Sequence, residues 1–401
     1  MKIQEISTVR TEEKPSVIWI QILTDEGLVG LGETWFGADA VEADIHTRIA
    51  PLILGEDARR IEHLAKKMKP YVGFTGTGVE MRALSAVDVA LWDIAGKAAN
   101  KPIYELLGGK CRDTIRVYNT CAGPDYVSKS AEVRPDNFGI SSENTGKTYE
   151  DLQAFLQCAD DLASDLLETG ITSMKIWPFD FAEGAADGMD ISTADLDKAL
   201  EPFEKVRKAH GMKMGLKAEL HGLWSLSAAK KICEALEDLQ VEWAEDPIWM
   251  DRISDLGELA AATTAPLAGG ETLGGLGQIR SLLEANALST LIVDVTWGGG
   301  ITFAHKAGAL AEAFATPIAF HDCSGPVTLC SSTHLALSSP SVVQQEIARG
   351  FYYGWYGDMV DTPPPLKDGF ITVPEGPGLG LALGEKLLNA DTTSIRSTAL
   401  T

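Results

Sequence analysis

The chain has 401 residues, 45% of them hydrophobic, with 57 acidic and 34 basic side chains and a formal charge of −23. This composition supports a sizeable core, excludes disordered and fibrous classes, and at this length fits one large domain with a smaller partner. The acidity excludes nucleic acid and anionic membrane as partners, and no apolar run approaches the roughly 18 to 20 residues that cross a bilayer.

A small anionic substrate would then need a local positive centre, such as a metal ion or a buried lysine. The N-terminal residues 1–11 are polar and lack the apolar stretch of a signal peptide. Six cysteines without paired spacing read as reduced thiols, so a cytoplasmic protein is expected.

In chain order, 17–23 and 28–35 are strand-like runs joined by Thr24-Asp25-Glu26-Gly27, a predicted hairpin. Ser85-Ala86-Val87-Asp88 has the form of a capping box, and Val87, Ala90, Leu91, Ile94 and Ala98 then recur at helical spacing. Gly108-Gly109 ends this α+β region. From about residue 115, eight short apolar runs alternate with helical stretches: 114–119, 173–177, 213–220, 241–245, 266–270, 291–295, 317–320 and 342–347. Amphipathic segments such as 194–210 and 227–239 lie between them, which predicts parallel βα units. Eight such units fit a (β/α)₈ barrel, whose usual size is about 250 residues. The polar segment 122–148 is expected to be a long loop on the face where barrel active sites lie. Beyond Gly350 the chain is too irregular for a further unit and is expected to pack back on the N-terminal region. The expected division is an α+β capping domain (1–114), a (β/α)-barrel catalytic domain (115–350) and a C-terminal segment completing the cap (351–401).

Several barrel runs end in an acidic residue. Glu219, Glu245 and Glu271 follow one another at intervals of 26 residues, one βα unit each, so they should stand side by side on the rim of adjacent strands. Three carboxylates in register suit Mg2+, which takes oxygen ligands and leaves its other positions to water or substrate oxygens. The next two runs supply Asp294 and His321. An aspartate beside a histidine fixes its tautomer and raises its basicity, as a general base requires. Lys175 lies in the second run and Glu346 ends the last, while His305 and His334 fall inside helical patterns and are read as packing residues.

In order and spacing these segments resemble the mandelate racemase branch of the enolase superfamily along nearly the whole chain. Gly170–Trp177 is similar to that branch's Lys-x-Lys strand, Ala244-Glu245-Asp246-Pro247 to its Glu-Glu-Pro and Gly269-Gly270-Glu271-Thr272 to its Gly-Glu. Residues 85–107 and Gly376-Pro377-Gly378-Leu379-Gly380 resemble the capping-domain signatures. The resemblance implies an enolase-type barrel that removes the proton alpha to a carboxylate. By it, Glu219, Glu245 and Glu271 would bind Mg2+ and Asp294–His321 would be the base dyad. Glu346 would hydrogen-bond the enolate oxygen, and Lys175 would lie beside the substrate carboxylate.

Two departures stand out. The family usually has Asp where this chain has Glu219, and Trp177 replaces the second lysine of Lys-x-Lys, which argues against a two-base racemase. Glu219-Leu220-His221 resembles the Asp-x-His of aldonate dehydratases, in which the histidine protonates the departing 3-hydroxyl. The resemblance therefore implies dehydration of a small-molecule sugar acid, gluconate or a related hexonate, to a 2-keto-3-deoxy acid. An epimerase or cycloisomerase is the alternative, and a hydrolase or a non-catalytic sugar-acid sensor a weaker one. Trp35, Phe36, Tyr71 and Phe74 are candidates to close over the substrate, with Trp177 and Trp224 shaping the pocket. Barrels of this type often assemble, so a homo-oligomer is expected.

Overall fold

The computed structural model describes residues 1–70, 76–128, 135–140 and 149–400. Strands β1 (Ile3–Thr11), β2 (Val17–Thr24) and β3 (Val29–Trp35) form an antiparallel meander, with Val17 opposite Trp35 and Leu23 opposite Val29 as the hairpin pattern requires. β1 was not legible in sequence, because a register shift between Ile3 and Glu5 breaks its alternation. One face of the sheet is covered by the helix Val79–Ala99. The fit is close because Gly32 has no side chain: a Cβ there would lie 1.9 Å from the carbonyl oxygen of Ala86.

That helix begins six residues before the expected capping box. Its first turn follows Gly78, and Ser85 lies buried inside it, its hydroxyl donating to the Met81 carbonyl one turn back at 2.6 Å. Asp88 caps not its own helix but the start of another, Gly300–Ala313. Its carboxylate accepts from the Thr302 N–H (2.9 Å) and hydroxyl (2.5 Å), fastening the cap to the barrel.

The barrel strands are β4 (Ile115–Thr120), β5 (Ser173–Ile176), β6 (Gly215–Glu219), β7 (Trp243–Glu245), β8 (Leu267–Gly269), β9 (Thr290–Val293), β10 (Ile318–Phe320) and β11 (Val342–Ile347). Each pairs in parallel with the next, and β11 pairs with β4 through Gln345, Glu346 and Ile347, closing the cylinder. Tyr118, Trp243, Ala268, Ile292 and Ala319 fill its interior. Among the described residues seven helices of nine residues or more, one in each connection, join the strands, from Asp151–Glu168 to Pro326–Ser338. After β11 the chain is helical without a break from Arg349–Phe351 through the π-helical Tyr352–Tyr356 to Gly357–Met359, a short eighth helix in keeping with the (β/α)₈ expectation. Gly350, Gly354 and Gly357 lie in this stretch, where glycine lowers helix stability.

The tail first forms a small hairpin, β12 (Leu366–Lys367) and β13 (Phe370–Ile371), whose second strand runs antiparallel to the start of β4. Gly376–Gly380 then docks on the cap helix, and β14 (Thr393–Ala399) pairs antiparallel with β1, giving the sheet order β14-β1-β2-β3. β14 is mostly exposed and polar, held by backbone pairing and by hydroxyl contacts such as Thr398 to His46 (2.8 Å), so it carries no apolar signature. Asp93 joins these parts. Buried in the cap helix, it accepts from the N–H groups of Leu31 (2.9 Å) and Leu379 (2.8 Å) and pairs with Lys97 (2.7 Å). Asp93→Ala would strand two buried donors and is expected to lower unfolding free energy by about 3 kcal/mol, read by denaturant titration. A change under about 0.5 kcal/mol would remove this role. Among the described residues no helix is long and apolar enough to cross a membrane.

Candidate active site

The barrel register brings the acidic residues together. Glu219 and Glu245 are direct neighbours on β6 and β7, and Glu271 follows β8. One carboxylate oxygen from each lies within 4.8 Å of the others, and all three side chains are buried. Glu219 uses its extra length locally: its Oε1 accepts from the backbone N–H groups of Leu220 (3.1 Å) and His221 (2.8 Å). Glu271 reaches the site through Gly269-Gly270. Both glycines have positive φ, and a Cβ on Gly269 would lie 2.3 Å from Asp246 Oδ1.

Lys175 projects from β5 into this group, with Nζ 2.9 Å from Glu219, 2.6 Å from Glu245 and 3.0 Å from Glu346. Burial disfavours charge throughout the cluster. For Lys175 the three carboxylates outweigh burial and raise it well above its ordinary value. Lys175 and His321 likewise overcome burial at Glu346 and hold it at about 2. For Glu245 and Glu271 burial wins, reinforced by the neighbouring carboxylates, and both are raised. Glu271 Oε2 is buried without a hydrogen-bond partner. Three carboxylates on one ammonium beside a fourth, Glu271, with an orphaned oxygen fit a divalent cation with oxygen ligands.

His321 follows β10, and its Nδ1–H donates to Asp294 at 2.7 Å. The other oxygen of Asp294 caps a short helical turn, accepting from the N–H groups of Thr296 (2.7 Å) and Trp297 (2.8 Å). The dyad is thereby fixed, and Nε2 is left facing Glu271 at 3.5 Å and Glu346 at 3.9 Å. Burial opposes a charged ring, but these carboxylates outweigh it and make the imidazole strongly basic. Glu346, held ionised, accepts from the Asp322 N–H at 3.0 Å and from the Thr120 hydroxyl. It can donate to an enolate oxygen only after taking up a proton.

His221 forms a second imidazole–carboxylate pair, with Nδ1 2.8 Å from Asp180. Its φ is +51°, a left-handed conformation uncommon for a side-chain-bearing residue. Burial works against its charge, yet Asp180 and Glu219 push it up to about 10.

Lys175, Asp180, Glu219, His221, Glu271, His321 and Glu346 line one cavity of about 1120 Å3, while Glu245 and Asp294 are buried off its lining. Trp35, Phe36 and Trp177 of the expected pocket residues line it too; Tyr71 and Phe74 lie outside the described residues. Trp177 is 1% exposed, packed against Tyr126 and Phe155, with its indole N–H unpartnered. Tyr126 and Pro135 carry the long loop after β4 into the wall. Trp224 is buried away from the lining, and the two set-aside histidines differ. His334 is buried, bonded to Leu379 O and the Tyr104 N–H, whereas His305 is exposed. Sequence reasoning missed Asp180, Arg82 and Trp297 in the cavity wall. Asp180 follows a strand by several residues, and the other two sit in or beside helices, so rim spacing could not reveal them.

Comparison with known proteins agrees with this geometry. Residues 158–387 match the family described as enolase C-terminal domain-like, and residues 4–108 match the mandelate racemase / muconate lactonizing enzyme N-terminal domain. A D-galactonate dehydratase from Variovorax paradoxus is 31% identical over 96% of this chain and 93% of its own length. A D-xylonate dehydratase from Haloferax volcanii is 28% identical over 95% of this chain and 87% of its own length. A crystal structure of an enolase of the mandelate racemase subgroup from Agrobacterium tumefaciens has 44% identity and a TM-score of 0.87, covering 100% of this chain and 99% of that one. With matched families spanning cap and barrel around this carboxylate and histidine centre, the chain belongs to the mandelate racemase / muconate lactonizing enzyme branch of the enolase superfamily.

Proposed function

We propose that this protein is a Mg2+-dependent acid-sugar dehydratase that converts an aldonate, gluconate or a related hexonate, to its 2-keto-3-deoxy acid. The carrying observation is the pair of imidazole–carboxylate units, Asp294–His321 and Asp180–His221, whose two imidazoles line one cavity with Glu219 and Glu271 of the carboxylate triad. Beta-elimination needs a base for the C2 proton and an acid for the leaving hydroxyl. The relatives named D-galactonate and D-xylonate dehydratases support the same reading.

His321 Nε2 takes the C2 proton, while Asp294 holds the proton on Nδ1 and stabilises the resulting imidazolium. Lys175 places positive charge beside the substrate carboxylate. Bound by Glu219, Glu245 and Glu271, Mg2+ would supply positive charge for the developing enolate oxygens and offset the carboxylates that otherwise keep His321 protonated. As the C3–O bond breaks, His221 gives its proton to the departing hydroxyl, which leaves as water. The electron pair released at C2 forms the C2–C3 double bond, and the enol product then tautomerises to the ketone.

A panel of aldonates incubated with the protein and Mg2+, scored for 2-keto-3-deoxy product, tests this. Exchange of the C2 proton without loss of water would replace the reading with an epimerase. A narrower expectation concerns the acid. Asp180→Asn removes the partner that, against burial, keeps His221 protonated up to about 10. The ring then loses its proton at lower pH, so the alkaline limb of the rate profile should move down. Each unit of movement lowers the rate about tenfold above the limb. An unmoved limb would mean that Asp180 does not tune the acid.

A further inference from the structure

The cavity holds a cation that the dehydration mechanism does not use. Arg82 extends from the first turn of the cap helix into the wall. Its Nε donates to the Thr77 carbonyl at 2.7 Å and its Nη1 to the Trp35 carbonyl, so the guanidinium is held in place by neutral acceptors. Its carbon lies 4.2 Å from the centre of the Trp297 ring and 5.5 Å from that of Phe36. The Trp297 ring in turn lies 4.7 Å from that of His321. The charge therefore stands one indole away from the base.

No carboxylate among the described residues forms an ion pair with Arg82, whereas Lys175 touches three and Arg349 two. Trp297, 5% exposed, also has an indole N–H without a partner. A guanidinium lowered to about 10 by burial, which Asp294 and Glu271 oppose only at longer range, is still cationic at neutral pH, and leaving it without a directly paired carboxylate is costly. A planar donor fixed by stacking and two carbonyls is arranged for an oxyanion.

We propose that Arg82 and Trp297 form a subsite for a terminal anion, carboxylate or phosphate, at the end of the substrate remote from the reacting carboxylate. This rests on the sugar-acid reading above and narrows it. A hexonate has a single carboxylate, the reacting one, and would leave Arg82 unpaired. A hexarate or a 6-phosphohexonate carries a second anion that can pair with Arg82.

The test compares a hexonate, the matching hexarate and the matching 6-phosphohexonate on the Mg2+-loaded protein, by kcat/KM and by equilibrium binding through tryptophan fluorescence. One of the doubly anionic acids should exceed the hexonate by about tenfold or more in the unaltered protein. Which of the two does so identifies the terminal group. Arg82→Met should collapse that ratio towards one, and Arg82→Lys should retain part of it. A wild-type ratio near or below one overturns the subsite without recourse to any variant, as does a ratio unchanged in a folded Arg82→Met protein. If no sugar acid is turned over but the binding ratio holds and depends on Arg82, the subsite stands and the dehydratase reading fails.

Discussion

His321→Asn is expected to lower turnover by about 10²- to 10⁴-fold, the range of a positioned general base. Asparagine places its amide nitrogen near the position of Nδ1 and can still donate towards Asp294, so the fold should persist and the circular dichroism spectrum should be unchanged. The ring is 4% exposed and fixed by a 2.7 Å bond, which leaves no neighbouring imidazole to take over at that face. His221 stands elsewhere in the cavity, bound to Asp180. Exchange of the substrate's C2 proton with solvent deuterium should therefore fall together with product formation. Retained exchange with lost dehydration would assign proton abstraction to another group. A protein that only binds sugar acids would keep its affinity in this variant and show no turnover before or after.

Lys175→Met should be the most destabilising single change in the site. Its ammonium, 3% exposed, is the cation shared by Glu219, Glu245 and Glu346, and methionine leaves them facing one another in a buried space. Removing one partner of a buried ion pair costs about 3 to 5 kcal/mol, the amount expected for the chelated protein near neutral pH in denaturant titration. The sign of the pH dependence follows. Burial and neighbouring carboxylates already raise Glu245 above its ordinary value, and losing Lys175 raises it further. A raised carboxyl binds its proton more tightly when folded. Its contribution is thus present at acid pH and lost as pH rises through the folded value. The variant should approach the unaltered protein at low pH and fall away towards neutrality. Added Mg2+ should narrow the gap by supplying the missing positive charge. A gap independent of both pH and Mg2+ would show that Lys175 acts through packing alone.

The barrel and most of its rim were legible because both obey short repeats. Strand and helix alternate with a fixed unit length, so Glu219, Glu245 and Glu271 had to share one rim, and Asp294 and His321 had to be neighbours. The parallel register of β6 and β7 places Glu219 and Glu245 side by side as that argument requires. The helix boundary at Val79 was misread because Ser85 offers the chemistry of a cap, while its buried surroundings and the bond back to Met81 favour continued helix. β1 and β14 were missed because one contains a register shift and the other buries little.

By itself, then, the sequence determined which groups can do the chemistry, since the order of rim residues around a parallel barrel follows their order in the chain. Only the tertiary structure decided how they are tuned and what they face. Asp180 meets His221 across 41 residues, Lys175 meets Glu346 across the closed cylinder, and Arg82 reaches the cavity from a separate domain. Such contacts depend on loop paths and on how cap and barrel dock, and a repeat in sequence carries no information about either. The same holds for Glu219, whose longer arm is accommodated only because the backbone N–H groups of Leu220 and His221 turn to meet it.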